Sequence, residues 1–553
     1  MKREDSSNLY SSNLTSGRLY YLVNSTLFRF GYIVTMFTVS SIICFNPLSA
    51  QQVKTHKSNL ININCHRELF LDGFIIGKIM GKAELRLHNP IPQEIVLRCD
   101  NPWEGSGSNY FSIFKDGNLY RMYYRGVQVQ RFEKGHENET DANLYSKFCY
   151  AESNDGIHWI KPNLGIYDFD GSKNNNIVLA SGDIKGLHLD LSDNASFFKD
   201  KNPNATADAR YKAIVCSAEP RGLLAFKSSD AIHWEAMSDN LIITDGAFDS
   251  QNLAFWDSER KVYRAYWRYF KESNAENRLT EGGVRAIRSA VSTDFIHWYN
   301  HADLQYLDTL QEHLYTNQIL PYYRAPYLLI GFPTRYNDKG WSESMRSLPE
   351  LQYRKLRSSV SSREGTAVTD GLIMASLDGL TFKRWNEAFL RPGIERPGTW
   401  NYGQQYQAWG LIETKSALEG APNELSLYAT EEYQSQQPIG TRLRRYTLRL
   451  DGFVSVNAPM TGGSLLTKLI RFQGKQLSIN FSTSAAGSIQ VELRDTSGKP
   501  IPGFTLTDSS PIFGDSLDRI VKWKNGSDVS SLQGKPVTLY FILKDADLYS
   551  FKF

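Results

Sequence analysis

A short pattern recurs along this chain and restricts what it can fold into. It reads Ser153-Asn-Asp-Gly-Ile-His-Trp159, Ser228-Ser-Asp-Ala-Ile-His-Trp234 and Ser292-Thr-Asp-Phe-Ile-His-Trp298. A weaker copy stands at Ser376-Leu-Asp-Gly-Leu-Thr-Phe382 and a degenerate one at Leu450-Asp-Gly-Phe453. The aspartates fall at 155, 230, 294, 378 and 451, in steps of 75, 64, 84 and 73 residues. Self-similarity at such a period marks stacked copies of one supersecondary unit.

The pattern has the chemistry of a strand-turn-strand corner. Asp bonds backbone amides two residues on, and Gly accepts a left-handed turn. The Trp or Phe that follows is a large apolar plug for the seam between neighbouring units. Apolar segments such as Tyr211-Lys-Ala-Ile-Val-Cys216 and Leu223-Leu-Ala-Phe226 flank it. Each period therefore reads as about four short strands, one blade of a propeller. Five copies predict an all-β chain, a five-bladed β-propeller over residues 51–453. The alternative, His-Trp pairs as catalytic groups, sits badly with one copy per unit.

The start of the chain reads as an export signal over residues 1–50. Arg29 precedes an apolar run, Tyr32 to Phe45, closed by the small residues Leu48-Ser-Ala50. That run is short for a membrane span, and Cys44 is a poor lipoprotein signal, so a secreted or periplasmic protein is expected rather than a cell-surface lipoprotein. An uncleaved anchor is the other reading. The formal charge of the 553 residues is +3 with no long basic run, which argues against a nucleic-acid partner. Cys65, Cys99, Cys149 and Cys216 match no zinc spacing and are too sparse for a disulfide scaffold.

Within the propeller, Lys115-Asp-Gly-Asn118 reads as a hairpin turn. Leu69-Phe-Leu-Asp72 and Leu85-Arg-Leu-His88 are expected to pair with the last blade and close the ring. The polar stretch 334–366 reads as a long loop. After residue 453 the pattern stops, and alternating segments at Gln476–Phe481, Ser488–Arg494 and Val537–Leu543 predict a β-sandwich over 454–553. That sandwich either buttresses the propeller or binds sugar.

The innermost strands of a propeller line a channel, so a site is sought just before each first strand. The first three units bring carboxylates there: Asp100 and Glu104 beside Asn109, then Asp193-Asn194, then Asp249 near Asn252. The fourth brings Glu312, His313, Tyr315 and Asn317, and the fifth Tyr402, Gln404 and Tyr406. Glycoside hydrolysis needs a carboxylic acid and a second carboxylate, ~5 Å apart for retention and ~6.5–9.5 Å for inversion. A third carboxylate raises the acid's pKa. Amides and aromatic rings suit sugar hydroxyls and ring faces. Arg335 is either a ligand for a charged sugar substituent or half of a surface ion pair. Asp193 and Asp249 have turn-capping as their alternative, and Glu104 a solvated loop. Glu219, Glu431 and Glu432 read as strand-end or loop charges.

With these tags and this order of units, residues 100–453 resemble the five-bladed propeller glycosidases of glycoside hydrolase families 32, 43 and 68, with family 130 as a looser relative. The sandwich that follows is similar to family 32. The resemblance implies Glu104 (or Asp100) as nucleophile or base, Asp193 as transition-state stabiliser and Asp249 as acid. Independently of the resemblance, position and chemistry make Asn109, Asn194, Asn252, Glu312, His313, Tyr315, Asn317, Arg335 and Gln404 the candidate substrate-binding groups. The chain departs from those families in lacking the Trp-Met-Asn-Asp-Pro-Asn, Arg-Asp-Pro and Glu-Cys-Pro motifs, and the third acid is Asp rather than Glu. It reads as a divergent or sister member.

The expected function is thus an exported glycoside hydrolase acting on a plant or algal saccharide by carboxylate acid/base catalysis. No organic cofactor is implied, and a structural Ca2+ in the channel is compatible but called for by no motif. Two rivals stand: an inverting phosphorylase with Arg324, Arg335 and His313 as its phosphate cradle, and a non-catalytic glycan-binding propeller.

Overall fold

The structure, a computed structural model, describes residues 60–128, 146–184, 187–189, 193–217, 220–272, 283–307, 309–434 and 440–553. The export segment and Glu219 lie outside them. The described chain is mostly β, with short helices confined to residues 343–366 and two single 3-10 turns.

Three four-stranded antiparallel sheets follow in chain order. The first holds Asn109–Asp116, Leu119–Gly126, Lys147–Ser153 and Ile177–Ala180. The second holds Asp193–Lys199, Tyr211–Ser217, Gly222–Ser228 and Glu235–Ala236. The third holds Leu253–Asp257, Val262–Lys271, Val284–Ser292 and Trp298–Asp303. The predicted hairpin turn is present, with Asp116 opposite Leu119. A fourth sheet holds Leu320–Tyr322, Ala325–Gly331, Met374–Ser376 and Thr381–Arg384, edged by Gln305–Tyr306.

The recurring pattern is the corner between third and fourth strands, and its bonds repeat almost to the tenth of an ångström. Asp155 Oδ1 accepts the amides of Ile157 and His158, both at 2.8 Å, while Oδ2 meets His158 Nδ1 at 2.7 Å. Asp294 does the same for Ile296 and His297 at 2.9 and 2.8 Å, and Asp378 for Leu380 and Thr381. The serine two residues earlier accepts the amide of the fourth tag residue, which is left-handed: Gly156 (φ +77°), Ala231 (φ +73°), Phe295 (φ +73°) and Gly379 (φ +81°). Partial burial opposes their charge, but the bond to the tag histidine ring, followed by the amide bonds, holds Asp155, Asp230 and Asp294 well below the usual range.

Each tag packs against the preceding sheet. Trp234 lies edge-on to Tyr123 of the first sheet, Phe295 to Phe198 of the second, Phe382 to Tyr266 of the third, and Trp159 to Tyr428 of the fifth. In three of these seams a buried tyrosine hydroxyl donates to the carbonyl of the left-handed residue: Tyr123 to Ala231, Tyr266 to Gly379 and Tyr428 to Gly156. The second sheet carries Ile214 at the equivalent place, and the facing tag carries Phe295 instead of a small residue. Both lie in one apolar cluster. A ring moved from one wall of the seam to the other fills the same space.

The fifth sheet holds Ile412–Thr414, Glu424–Glu431 and Arg442–Leu448 from the end of the pattern, and its outer strand is Ile91–Arg98. Pro92 is admissible there because an outer strand leaves one edge unpaired. The segments expected in this role go elsewhere: Glu68–Leu69 pairs with Thr538–Lys552, and Glu84–Leu87 with Val454–Ala458. The reason lies at Asp451. In the fifth copy the chain turns (φ +61°) and leaves for the terminal sheet, vacating the outer place. The buried Asp451 carboxylate accepts from Tyr322 (2.8 Å), Arg324 (2.8 Å), Asn480 (3.1 Å) and Ser550 (2.9 Å) and pairs with Arg67 (3.2 Å). Burial opposes its charge, but Arg67 and Arg324 hold its pKa low.

The terminal sheet gathers Ile76–Gly81, Gly463–Thr467, Ser478–Arg494 and Asp515–Ile520 around Thr538–Lys552. Two of the expected strands form one 17-residue strand, irregular between Thr483 and Ser488. Its core includes Phe481, Val491, Phe541 and Phe551. Cys99, Cys149 and Cys216 are buried and Cys65 is exposed.

Two predictions follow from this packing. Phe295→Gly alone should cost about 3–5 kcal/mol, as deletion of a buried ring does, and Ile214→Tyr alone about 1–3 kcal/mol through overpacking. The double variant should recover more than 1 kcal/mol beyond additivity in denaturant unfolding, roughly the coupling of residues sharing a cavity. Separately, burial raises the Glu68 pKa to about 8 although Tyr327 donates to its carboxylate at 3.0 Å. A raised folded-state pKa gives stability that is complete below the unfolded value near 4.5 and lost as pH rises through 8. Glu68→Gln should therefore stabilise the protein at pH 8.5 relative to pH 5 and flatten its pH–stability slope, read as melting temperature across that range.

Candidate functional site

Hydrogen bonds tie the inner strands of the sheets to one another. Ile113 N donates to Trp409 O and Trp409 N to Phe111 O, joining the first and fifth sheets. Gln251 Nε2 donates to Tyr110 O (3.0 Å) and Ala195 O (3.2 Å), spanning the first three sheets. Gln318 Nε2 reaches Gln251 Oε1 (2.5 Å) and Gln407 O (2.8 Å), joining the fourth and fifth. This amide hub separates two ends. Where the inner strands finish, a cavity of about 630 Å³ is lined by Ile113, Phe198, Phe255, Leu320 and Trp409. Where they begin, the lining is polar and aromatic.

At that leading end Tyr110, Tyr315, Tyr336, Tyr402, Tyr406 and Tyr433 form one buried cluster. Tyr406 stacks on Tyr110 (6.0 Å) and Tyr315 (5.1 Å), and Tyr402 OH donates to Tyr315 OH at 2.7 Å. Burial, then Tyr315 and Asp249, push the Tyr110 phenol well above 10. Three buried arginines lean on these rings: Arg125 over Tyr110 (5.3 Å), Arg268 over Tyr315 (5.3 Å) and Arg285 over Tyr336 (4.6 Å). Asp249 is half-exposed, its carboxylate 3.3 Å from Arg268.

The stretch expected as a long loop also reaches this end. It contains Thr334–Asp338 and the helices Glu343–Ser347, Leu351–Val360 and Ser362–Thr366. Ser342 caps the first of these helices by accepting Met345 N at 3.1 Å. The middle helix buries Arg354 and Arg357 rather than apolar residues, satisfied by Pro349 O, Thr399 O and Gln434. That inward polarity conceals the helical period from a hydropathy reading. Arg363 lies over Tyr402 at 5.7 Å.

The expected site residues divide. Asp249, Asn194, Tyr315 and His313 gather around the arginine–tyrosine cluster. Asn194 Oδ1 accepts from Arg125 at 3.0 Å, and Asn252 Nδ2 donates to Asn194 O at 3.2 Å. Asn109 is fully buried at the start of the first inner strand, both atoms of its amide without a partner. Asp193 opens an inner strand opposite Cys216, and its side chain lies outside the described residues. His313 Nδ1 lies 3.4 Å from Arg285 Nη1, and burial and that charge lower its pKa.

The others are held in structural bonds. Glu104 is fully buried, with Tyr124 OH at 2.5 Å on one oxygen and Lys161 Nζ and Asn101 N, both at 2.8 Å, on the other. Its neighbours Cys99, Cys149 and Tyr124 belong to the seam of the first and fifth sheets. Arg335 is bidentate to Asp370 (2.9 and 2.7 Å) and bonded to Glu312 (3.0 Å), which also pairs with Arg384. Gln404 is bound to Trp400 N and Thr369, and Asn317 caps Ile319 N. Asp100 reaches Lys161 at 3.3 Å and Glu431 pairs with Arg396 and Arg444.

Arg125, Arg268 and Arg285 were not among the expected residues. They sit where second strands end or third strands begin. In a four-stranded meander that connection lies at the same end as the residues before the first strand, so the topology itself points to them. Among the described residues no group of three or more His, Cys, Asp or Glu is placed to hold a metal ion, and no helix is long and apolar enough to cross a membrane.

No family model matches this sequence, and no curated protein matches it. It is similar to solved glycoside hydrolase structures. One is a family 43 arabinoxylan arabinofuranohydrolase from Bacillus subtilis in complex with cellotetraose: 12% identity, TM-score 0.39, covering 84% of this chain and 99% of that one. A fructofuranosidase from Schwanniomyces occidentalis complexed with fructosylnystose shares 12% identity at TM-score 0.34 over 84% and 96% of the two chains. A structure from family 130, described as containing hydrolases that target β-1,2 mannosidic linkages in Candida mannan, shares 11% at 0.38 over 66% and 94%.

Breaking the Glu104–Lys161 pair leaves a largely buried ammonium behind. Glu104→Gln should lower stability by about 3 kcal/mol, read in denaturant unfolding, and Lys161→Met by at least as much, because it strands the fully buried Glu104 carboxylate whereas Glu104→Gln leaves Lys161 its bond to Asp100.

Proposed function

We propose that this chain is an exported glycoside hydrolase built on a five-bladed β-propeller, its ring formed by residues 91–448 and its terminal sheet a β-sandwich that takes in strands from residues 60–87. The observation that carries the reading is the convergence, at one end of five inner strands, of a half-exposed carboxylate, Asp249, with tyrosine faces and unpartnered amides. Ring faces stack on sugar rings and amides bond hydroxyls in both directions. A carboxylate beside them is the group that general acid/base chemistry at a glycosidic oxygen requires. Asp249 supplies one of the two carboxylates, and Asp193, at the head of the neighbouring inner strand, is the proposed second.

The phosphorylase reading loses support, because Arg324 is committed to Asp451 and Arg335 to Asp370 and Glu312. His313 alone of that cradle faces the cluster. No cofactor enters the proposed chemistry.

The test is sugar release from a broad oligosaccharide panel by the purified protein, with Asp249→Asn and Asp193→Asn beside it. Loss of about a hundredfold or more in kcat for either variant, the scale of general acid/base catalysis, measured below the melting temperature of each, is the expected result; Asp249→Asn should also melt earlier, because it takes the counter-charge from buried Arg268. No release from any substrate, alongside glycan binding that survives both substitutions, would replace the enzyme by a binding propeller.

A further inference from the structure

The third sheet places two guanidinium groups side by side at the leading end. Arg268 stands opposite Ile287, and Phe270 opposite Arg285, in the pairing of Val262–Lys271 with Val284–Ser292. Period-two alternation puts all four side chains on one face. The arginines are therefore diagonal neighbours, roughly 7–8 Å apart with their Cβ atoms somewhat closer. Each is more than nine-tenths buried.

Their counter-charges are unequal. Arg268 has Asp249 at 3.3 Å. Arg285 forms no ion pair with a carboxylate among the described residues. Its neighbours are His313 Nδ1 at 3.4 Å and the faces of Tyr336 (4.6 Å), Tyr315 (5.3 Å) and Phe270 (5.6 Å). Ring faces attract a cation without neutralising it. The neighbouring carboxylate of Glu364 is engaged by Arg357 (3.6 Å) and Arg363 (3.7 Å). The Nε atoms of both Arg268 and Arg285 lack hydrogen-bond partners. A buried charge without a counter-ion costs several kcal/mol, on the order of a whole native ion pair. An anion brought by a ligand would offset that cost at Arg285.

We propose that Arg285, with Arg268 beside it, is the seat of an oxyanion carried on the saccharide itself, the carboxylate of a uronate or a sulfate ester. The planar fork of a guanidinium offers two parallel N–H donors to such a group, and the tyrosine walls exclude water that would weaken the bond. Arg335, the arginine that the sequence suggests for this task, is already saturated by Asp370 and Glu312. The inference deepens the glycoside hydrolase reading and rests on it for turnover, though not for binding.

The experiment compares acidic oligosaccharides (uronate-containing and sulfated) with their carboxyl-reduced or desulfated counterparts, using the full-length protein, Arg285→Gln and Arg285→Lys. Binding is measured by calorimetry and turnover by product release. The native protein should prefer the charged partner by about a hundredfold, the scale of a hydrogen-bonded charge pair. Arg285→Gln should erase most of that preference, and Arg285→Lys, a charge without a fork, should retain part of it. Which of the uronate and sulfate series shows the preference identifies the anion. Equal affinity for charged and neutral saccharides, or a preference unchanged in folded Arg285→Gln, would overturn the proposal, as would turnover that requires free inorganic phosphate. Charge-dependent binding without turnover of any saccharide would retire the hydrolase reading and leave the anion seat standing.

Discussion

The structure depends on how its ring is closed. A repeat of four-stranded sheets leaves exposed edges and unfilled seams at its two ends, and an open edge invites pairing with other chains. Here the chain leaves the fifth repeat one strand early, at Asp451, and Ile91–Arg98 takes the vacant place. One sheet is thus made from both ends of the ring. The Asp451 carboxylate ties that departure to Arg67 before the ring, to Tyr322 and Arg324 within it, and to Asn480 and Ser550 beyond it. Loosening this carboxylate would disturb the ring, the terminal sheet and their junction together.

Much of this was legible in the sequence because the tag is a local structure. Ser, Asp and the left-handed residue bond one another within four positions, so spelling and geometry coincide. The closing strand was not legible. Its pairing partner is more than 340 residues away, and Leu85–His88 alternates as well as Ile91–Arg98 does. Pro92 made the true strand look the poorer choice, although on an outer edge it is harmless. The helix at Leu351–Val360 was hidden for a different reason: it buries arginines, and hydrophobic periodicity is blind to them.

The same divide runs through the site. Asp249, Asn194 and His313 could be read from their position before inner strands. Glu104 could be read too, as nucleophile or base, but its partners Lys161 and Tyr124 come from elsewhere in the chain, and they hold its carboxylate in a buried ion pair. Arg268 and Arg285 look like ordinary strand charges in the sequence. Only the pairing of Phe270 with Arg285 shows that they share a face, where among the described residues a carboxylate pairs with Arg268 and none with Arg285. Charge balance is a property of neighbours in space, and single positions do not carry it.

The exchange of Tyr for Ile214 in the second sheet and of a small residue for Phe295 in the third tag also bears on how the ring assembles. Repeats that share the same corner invite misdocking while a long chain folds. A seam whose bulk comes from the opposite wall accepts only its own partner. These two sheets are keyed to each other: in place of either, a sheet of the common kind would set two rings against one another or leave a gap at that joint.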